Sequence, residues 1–295
     1  MPGLSILIPI FNWNVHALVT SLVAQRADWP GPVELVLFDD ESAEAFRVLN
    51  RALTEQPGVR YHELIRNVGR AAIRNQLARA AQHEWLLLLD NDSLLPDAQF
   101  LARYAAMRDQ APVLIGGTCY APRPPADPAL RLRWLYGRER EARPAAVRQQ
   151  TPHAQLTINN ALLRADVLAR YSLDEQLRGY GHEDTRFGEA LAAGGVAIRH
   201  LDNPVLHDGL EPAATFLQKS EEAVRNLALA FRATGTGTES RLMQTALKLR
   251  RWGLAKPLAA ALRGSVPYLR RNLLSATPNL RALDILKLSW LLPLL

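Results

Sequence analysis

Two pairs of acidic residues in this 295-residue chain have the types and spacing that enzyme chemistry requires. Asp90 and Asp92 lie two residues apart at the end of the apolar run 85–89, where two carboxylates can converge on one divalent cation and a diphosphate. Glu183 and Asp184 open a predicted helix, and the positive end of the helix dipole would hold both side chains ionised. An ionised carboxylate in a cleft can act as a general base for a hydroxyl group.

Each pair also has a purely structural interpretation. Asp92 or the following Ser93 can cap a turn, because short polar side chains often accept hydrogen bonds from nearby backbone N–H groups. Glu183 and Asp184 can be no more than the acidic first turn of an ordinary helix. A phosphatase that uses its Asp-x-Asp as nucleophile and acid would need a lysine downstream, and residues 93–218 contain none.

A histidine is the third element of interest. His207 ends a predicted strand 115 residues after Asp92, and neutral imidazole is a common metal ligand. A lone histidine is more often structural, and His153, His182 and His200 fit the same role on spacing alone. The sequence therefore leaves the choice among these four side chains open.

The elements that must position these residues alternate regularly over the first 116 residues. Strands are predicted at 5–10, 33–38, 59–65, 85–89 and 112–116, with helices between them. Strands that alternate with helices predict an α/β fold, with a mostly parallel sheet covered on both faces and a ligand site beyond the carboxyl ends of the strands. Further strands at 157–163, 196–199 and 205–207 and helices at 185–193 and 212–231 complete the body, whereas proline- and arginine-rich residues 121–150 suggest a lobe or mobile loop.

Charge divides the chain differently. Residues 241–295 carry a net charge of +9 and residues 1–240 a net charge of −3. An acidic domain that binds an anionic nucleotide needs a cation to bridge the two. We therefore predict a catalytic domain over 1–232, with a donor half at 1–116 and an acceptor half at 117–232, then a linker at 233–240 and a basic helical tail at 241–295.

The tail interleaves leucines and Trp252 with basic residues, as amphipathic helices do on anionic membranes. Packing of these helices on the body or in a homodimer explains the pattern equally well. Nucleic acid is not expected as a partner, because no recognition motif accompanies the charge. With one cysteine, no signal-like N-terminus and no long apolar run, we expect a cytoplasmic protein, or one bound peripherally at the inner face of the membrane.

Five segments, in order, resemble the family 2 glycosyltransferases of the GT-A (Rossmann-like) fold over about residues 3–230. Each one alone is a weak signal, but all five follow the family's order on the predicted elements. They are Ser5–Asn12, Leu37–Ser42, Asn67–Asn75, Leu89–Asp92 and Gly179–Asp184.

The resemblance implies a role for each matched position. Asp184 would be the catalytic base, with Glu183 nearer the acceptor, and Mn²⁺ or Mg²⁺ would be held by Asp92, His207 and Asp90, the imidazole favouring Mn²⁺. The nucleotide-sugar donor would contact Pro9, Asn12, Asp39, Asp40, Asn67, Arg70, Arg74, Asp90 and Asn91. The acceptor would contact Trp134, Tyr136, Asn160 and His182.

The implied activity is metal-dependent hexosyl transfer with inversion, from a nucleoside-diphosphate sugar to a hydroxyl of a glycan or lipid-linked acceptor. UDP is favoured because a carboxylate such as Asp40 can accept the imide N–H of uracil. The family often has glycine at the positions of Glu41 and His182, so both are departures. The alternatives are a nucleotide-sugar-binding protein, which should lack Asp184, and a nucleotidyltransferase, which should have a glycine-rich basic loop where this chain has residues 11–14.

Overall fold

A computed structural model describes residues 1–175, 183–235, 237–238 and 240–295. Within these ranges the strands are β1 Leu4–Ile10, β2 Val33–Asp39, β3 Val59–Glu63, β4 Trp85–Leu89, β5 Ser93–Leu94, β6 Val113–Ile115, β7 Thr118–Cys119, β8 Asn160–Arg164, β9 Ile198–His200 and β10 Val205–His207. The helices are α1 His16–Gln25, α2 Glu44–Arg51, α3 Arg70–Ala80, α4 Phe100–Met107, α5 Arg131–Tyr136, α6 Ala145–Arg148, α7 Ala165–Arg170, α8 Glu183–Ala193, α9 Ala213–Thr234, α10 Arg241–Arg251, α11 Ala255–Arg263, α12 Val266–Leu273 and α13 Leu280–Leu291.

Seven strands form the main sheet, in the order β3-β2-β1-β4-β8-β6-β9. The pairs from β3 to β4 are parallel, and β6 pairs in parallel with β9, whereas β8 runs antiparallel to both of its neighbours. The mixed, mostly parallel sheet predicted from the alternating pattern is confirmed. Because β1, β2 and β4 are parallel neighbours, the acidic segments that follow β2 and β4 leave the same edge of the sheet.

Apolar side chains cover both faces of this sheet, as the hydrophobic runs of its strands predict. Alternate residues of β1 point to opposite faces, so that Ile8 packs with one cluster and Leu7 with the other. The first cluster includes Phe100 and Tyr104 of α4, and the second includes Ile73 of α3. Full burial of one such aliphatic or phenylalanine side chain contributes about 1.5–3 kcal/mol to folding.

A small second sheet has the order β5-β10-β7. Strand β10 runs antiparallel to β5, with His207 opposite Ser93, and parallel to β7. The Asp208 N–H also donates to the carbonyl oxygen of Asp92 at 2.8 Å. This pairing carries the end of β10 to the loop that contains the Asp-x-Asp.

The described chain divides into two compact units. The first contains residues 1–120 and 141–209, and the second contains 121–140 and 210–295. This division differs from the predicted domains, because α9 buries Val224, Leu227 and Ala228 in one cluster with Met243 and Ala246 of α10, and so belongs with the tail helices.

Two more differences concern the segments outside the sheet. Residues 131–148, expected to form a lobe or mobile loop, contain α5, a π-helical turn over Gly137–Glu141 and α6. The predicted linker at 233–240 lies partly outside the described residues. The predicted helices of the tail are present as α10 to α13, and among the described residues no helix is long and apolar enough to cross a membrane.

Candidate functional site

The loop after β1 and the turn after β2 are tied together by short polar contacts. The Oδ1 of Asn12 accepts the Ala43 N–H at 2.8 Å, and the Asn12 N–H donates to Ser42 Oγ at 2.8 Å. Asp39 is fully buried and accepts the Ser42 N–H at 2.7 Å and the Tyr61 hydroxyl at 3.1 Å. Asn12 and Asp39 were both expected to contact the donor. In this structure their side chains instead form hydrogen bonds within these loops and to Tyr61.

Asp40 is placed differently, because it holds the start of α3. Its carboxylate accepts the N–H groups of Val68 at 2.7 Å and of Gly69 at 3.1 Å. Burial raises the pKa of Asp40 above its usual value although these two hydrogen bonds oppose the rise. Glu41 adopts a left-handed conformation (φ 66°), and its Oε2 accepts the Asn67 N–H at 2.9 Å. The turn expected of the family thus forms with glutamate in place of glycine.

Arg74 lies at the centre of the next group of residues. Its side chain is buried, with 6% of the residue exposed, and its Nη2 lies 2.5 Å from Asp90 Oδ1. Its Nη1 lies 3.5 Å from Glu183 Oε2, so one guanidinium joins the strand β4 end to the start of α8. Arg74 and Asp90 were each expected to contact the donor, and Asp90 the metal as well, but their pairing with each other was not predicted.

Asp184 lies within the field of the same guanidinium. Burial raises the pKa of Asp184 to about 6, the charges of Asp90 and Glu183 add to the rise, and Arg74 opposes it. Burial also raises the pKa of Glu183. Loss of water thus outweighs the favourable end of the helix at Asp184, and the expectation that this carboxyl is ionised at neutral pH stays a prediction. A carboxyl group that titrates near neutrality is better suited to exchange protons than a fully acidic one.

Asp92 and His207 form a pair. Asp92 Oδ2 lies 3.5 Å from His207 Nδ1, and the ring of His207 packs edge-on against Tyr120 with centroids 5.4 Å apart. Although burial acts to raise it, the pKa of Asp92 is lowered by its hydrogen bond and charge interaction with His207. A Cβ atom at Gly209 would lie 2.3 Å from Asp92 Oδ2, so only glycine fits beside this carboxylate.

The other histidines named by the sequence have internal partners. His200 is buried, with Nδ1 2.6 Å from Arg148 Nη1 and Nε2 2.9 Å from the carbonyl oxygen of Pro152. His153 Nε2 lies 2.9 Å from the carbonyl oxygen of Val196. His182 lies outside the described residues. Of the three described histidines, the structure brings only His207 to the Asp-x-Asp loop.

A cavity of about 300 Å³ opens at this edge of the sheet, within the usual size range for a small-molecule site. The residues lining it are Pro9, Ile10, Phe11, Trp13, Asp40, Asn67, Gly69, Arg70, Ile73, Arg74, Asp90, Asn91, Asp92 and Gly209. Seven of the nine predicted donor contacts are among them, without Asn12 and Asp39. Phe11 and Trp13, which also line the cavity, were not predicted, although their position within three residues of the end of β1 was a usable signal.

None of the described residues that were expected to contact the acceptor lines this cavity. Asn160 is fully buried, and its amide donates to the carbonyl oxygens of Gly117 and Asn203 while its Oδ1 accepts the Tyr104 hydroxyl at 2.7 Å. These contacts give Asn160 a structural role, and its expected contact with an acceptor stays a prediction.

Trp134 and Tyr136 lie on α5 in the second unit. Trp134 Nε1 donates to the carbonyl oxygen of Ala121 at 2.8 Å, and the Tyr136 ring packs on Phe216 with centroids 5.1 Å apart. Their expected contact with an acceptor stays a prediction. His182, the fourth expected contact, is outside the described residues.

Several solved structures share this fold. A mannosyltransferase from Pyrobaculum calidifontis, PcManGT in complex with GDP-Man and Mn²⁺, aligns with a TM-score of 0.58 and 16% identity, over 98% of this chain and 86% of that one. S. aureus TarS 1–349 in complex with UDP aligns with a TM-score of 0.50 and 18% identity, over 97% and 89% of the two chains. A longer S. aureus TarS structure aligns with a TM-score of 0.50 and 17% identity over 78% of this chain, which spans only 40% of its length.

These similarities confirm the predicted GT-A fold, and at such low identity they show the fold alone. No curated protein sequence matches the chain. The family model described as Glycosyl transferase family 2 matches residues 5–171, which is more than half of the chain and includes β1, the β2 turn, α3 and the Asp-x-Asp. The chain therefore belongs to glycosyl transferase family 2.

Proposed function

We propose that this glycosyltransferase transfers a hexose from a nucleoside-diphosphate sugar, with UDP favoured, to a hydroxyl group of a glycan or lipid-linked acceptor. Transfer depends on a divalent cation and inverts the anomeric configuration. The observation that carries the proposal is the pairing of Asp92, which lines the 300 Å³ cavity, with His207 from a separate segment, at 3.5 Å. Glycan or polysaccharide synthesis is the corresponding process.

The cavity offers complementary surfaces to each part of a nucleotide. Phe11 and Trp13 give a flat apolar wall for a base, since aromatic rings stack on nucleobases. Asp40 keeps lone pairs on both oxygens after accepting two backbone N–H groups, and can accept the imide N–H of uracil. Arg70 lines the same cavity and contributes positive charge for a diphosphate.

Asp92 and His207 fit a divalent cation. One carboxylate oxygen and one imidazole nitrogen are the donor set that Mn²⁺ accepts readily, and Mg²⁺ is the alternative. Within the described residues no three His, Cys, Asp or Glu side chains converge, so donor oxygens and water would supply the remaining ligands. When bound, the cation supplies Lewis-acid stabilisation of the negative charge on the departing nucleoside diphosphate. Asp90, also expected to hold the cation, pairs with Arg74 in this structure, and its contact with the metal stays a prediction.

Asp184 is the proposed base. With a pKa near 6, it is mostly ionised at neutral pH, and it accepts the proton of the acceptor hydroxyl as that oxygen attacks the anomeric carbon. Glu183, one residue before it, lies closer to the incoming acceptor in this scheme. Arg74 keeps Asp184 ionised by its charge and fixes Glu183 and Asp90 around it. One base with no second carboxylate in the role of nucleophile gives a single displacement and therefore inversion.

The test begins with ligand binding. UDP, GDP and their sugars are added with and without Mn²⁺, and thermal unfolding is followed; a ligand at 100 times its Kd stabilises the folded state by about 2.7 kcal/mol. The proposal expects a shift that requires nucleotide and metal together. Release of nucleoside diphosphate from the stabilising donor then separates an enzyme from a binding protein, and NMR of the product's anomeric proton tests inversion. Absence of any nucleotide-dependent shift with Mn²⁺ would refute the proposal.

A further inference from the structure

The turn between α10 and α11 in the second unit exposes two large apolar side chains. Trp252 is 66% exposed and Leu254 is 48% exposed. Gly253 between them has a φ of 73°, a left-handed conformation that glycine adopts without strain. We call residues 248–256 the basic corner.

Cations surround these two side chains. Lys248, Arg250, Arg251 and Lys256 are all exposed, and none of them pairs with a carboxylate in the described part of the chain. Elsewhere in the same unit, Arg225, Arg270 and Lys219 do pair with acidic residues. The basic corner therefore combines unneutralised positive charge with exposed apolar surface.

The inner side of the same helices is already packed. Met243 and Ala246 of α10 are buried in a cluster with Val224 and Leu227 of α9, and Leu258 of α11 packs against that cluster. Trp252 and Leu254 are not part of it. The corner is thus held by a formed core, and its exposed residues are not needed to complete that core.

We infer that the basic corner docks the protein on an anionic lipid bilayer. The Trp252 indole and the Leu254 side chain enter the headgroup region, where an amphipathic ring is favoured, and the four cations lie against lipid phosphates. The inference does not depend on the sugar transferred or on the catalytic residues.

Other partners fit less well. A symmetric contact between two copies of this chain would bring two basic corners together, with charge of the same sign. A single-stranded nucleic acid would stack on Trp252, but Leu254 beside it offers no aromatic face for a base. A lipid bilayer offers apolar acyl chains for Trp252 and Leu254 beneath a layer of phosphates for the surrounding cations.

The test uses the full chain and sedimentation with vesicles. We expect binding to phosphatidylcholine vesicles that contain phosphatidylglycerol, little binding to phosphatidylcholine alone, and weaker binding as salt is raised. The pair Arg250→Gln and Arg251→Gln should weaken binding about thirty-fold, and the pair Trp252→Ser and Leu254→Ser roughly ten-fold.

Matched controls lie in the first unit. Ile65→Ser removes a side chain that is 98% exposed, and Arg79→Gln with Arg199→Gln removes two exposed cations. These variants should bind vesicles like the wild type. Equal loss in the controls and the corner variants would overturn the proposal, as would the absence of vesicle binding. So would corner variants that lose RNA binding or self-association, measured by light scattering, while vesicle binding is unchanged.

Discussion

The acidic residues after β2 make contacts of a different kind from those after β4 and at the start of α8. After β2, Asp39, Asp40 and Glu41 accept backbone N–H groups from residues 42 and 67–69. After β4 and at the start of α8, the carboxylates of Asp90, Asp92 and Glu183 meet side chains instead.

The kind of hydrogen-bond partner distinguishes carboxylates that stabilise loops from carboxylates that can bind a substrate or a cation. A carboxylate held by backbone N–H groups has its geometry fixed by the fold and shapes the loops around it. A carboxylate held by Arg74 or His207 has a partner that a substrate or a cation can replace or share. Asp40 belongs to both classes, because it holds α3 and also lines the cavity.

Arg74→Met should have the largest effect on stability. It leaves Asp90, Glu183 and Asp184 together without their cation, and removing one partner of a buried ion pair costs about 3–5 kcal/mol. The pKa values of Glu183 and Asp184, already raised by burial, would rise further without the opposing charge of Arg74. The folded variant would then bind more protons than the unfolded chain, so its loss of stability shrinks as pH falls. Urea unfolding at several pH values measures both effects.

The matched control is Arg79→Met on the same helix, where the arginine is exposed. It should change the unfolding free energy by no more than about 0.5 kcal/mol. If the two variants lose the same stability, Arg74 does not hold the acidic group together.

Asp184→Asn should lower turnover about 100-fold or more, because the amide cannot accept the acceptor proton. Stability should not fall, since burial disfavours the ionised form and the neutral amide avoids that cost. In the wild type, the rate should fall as pH is lowered through about 6, where the base becomes protonated, and the variant should lack this limb. Pre-steady-state or steady-state rates between pH 5 and 8, with unfolding curves beside them, give the answer.

Glu189→Gln provides the control, since Glu189 is exposed on the same helix. Normal turnover in Asp184→Asn would remove the assignment of the base while leaving the donor site intact.

Asp39→Asn and Asp92→Asn test the comparison directly, because the chemical change is identical. Asp39→Asn should lose about 1–3 kcal/mol of stability, because the amide cannot serve both the Ser42 N–H and the Tyr61 hydroxyl as the carboxylate does. Its affinity for nucleotide and Mn²⁺ should be unchanged. Asp92→Asn should instead abolish the Mn²⁺-dependent part of nucleotide binding, as titration calorimetry can show. The reverse pattern would exchange the roles of the two segments.

Much of this arrangement follows from the sequence. Apolar runs such as 5–10 and 85–89 predict strands whose side chains are buried on both faces of a sheet. Parallel strands bring the acidic residues that follow them to the same end of the sheet. The proximity of the β2 turn and the Asp-x-Asp loop is therefore predictable. The resemblance to the family added His207, which spacing alone could not choose over His200 or His153.

The sequence does not predict which polar side chains form hydrogen bonds or ion pairs with each other. Arg74 reaches Glu183 across 109 positions, and Asn160 is consumed by Tyr104, Gly117 and Asn203, contacts that only the folded backbone defines. The same holds for the units, since α9 continues the body in sequence but packs with the tail. Helices α5 and α6 were not predicted, because residues 121–150 are rich in proline and arginine. Composition alone does not reveal helices that are stabilised by tertiary packing.

The smallest effect on stability is expected at Glu41, which tests how the turn after β2 is stabilised. A left-handed conformation costs a residue with a Cβ about 1–2 kcal/mol, which glycine avoids. Glu41→Gly removes this strain and also the bond from the Asn67 N–H, so the two changes should nearly cancel. Glu41→Ala loses the bond and keeps the strain, so it should be less stable than Glu41→Gly by about 1 kcal/mol in urea unfolding. Equal stability of the two variants would mean that the backbone at this turn carries no strain, and that glutamate holds the β2 turn only through Asn67.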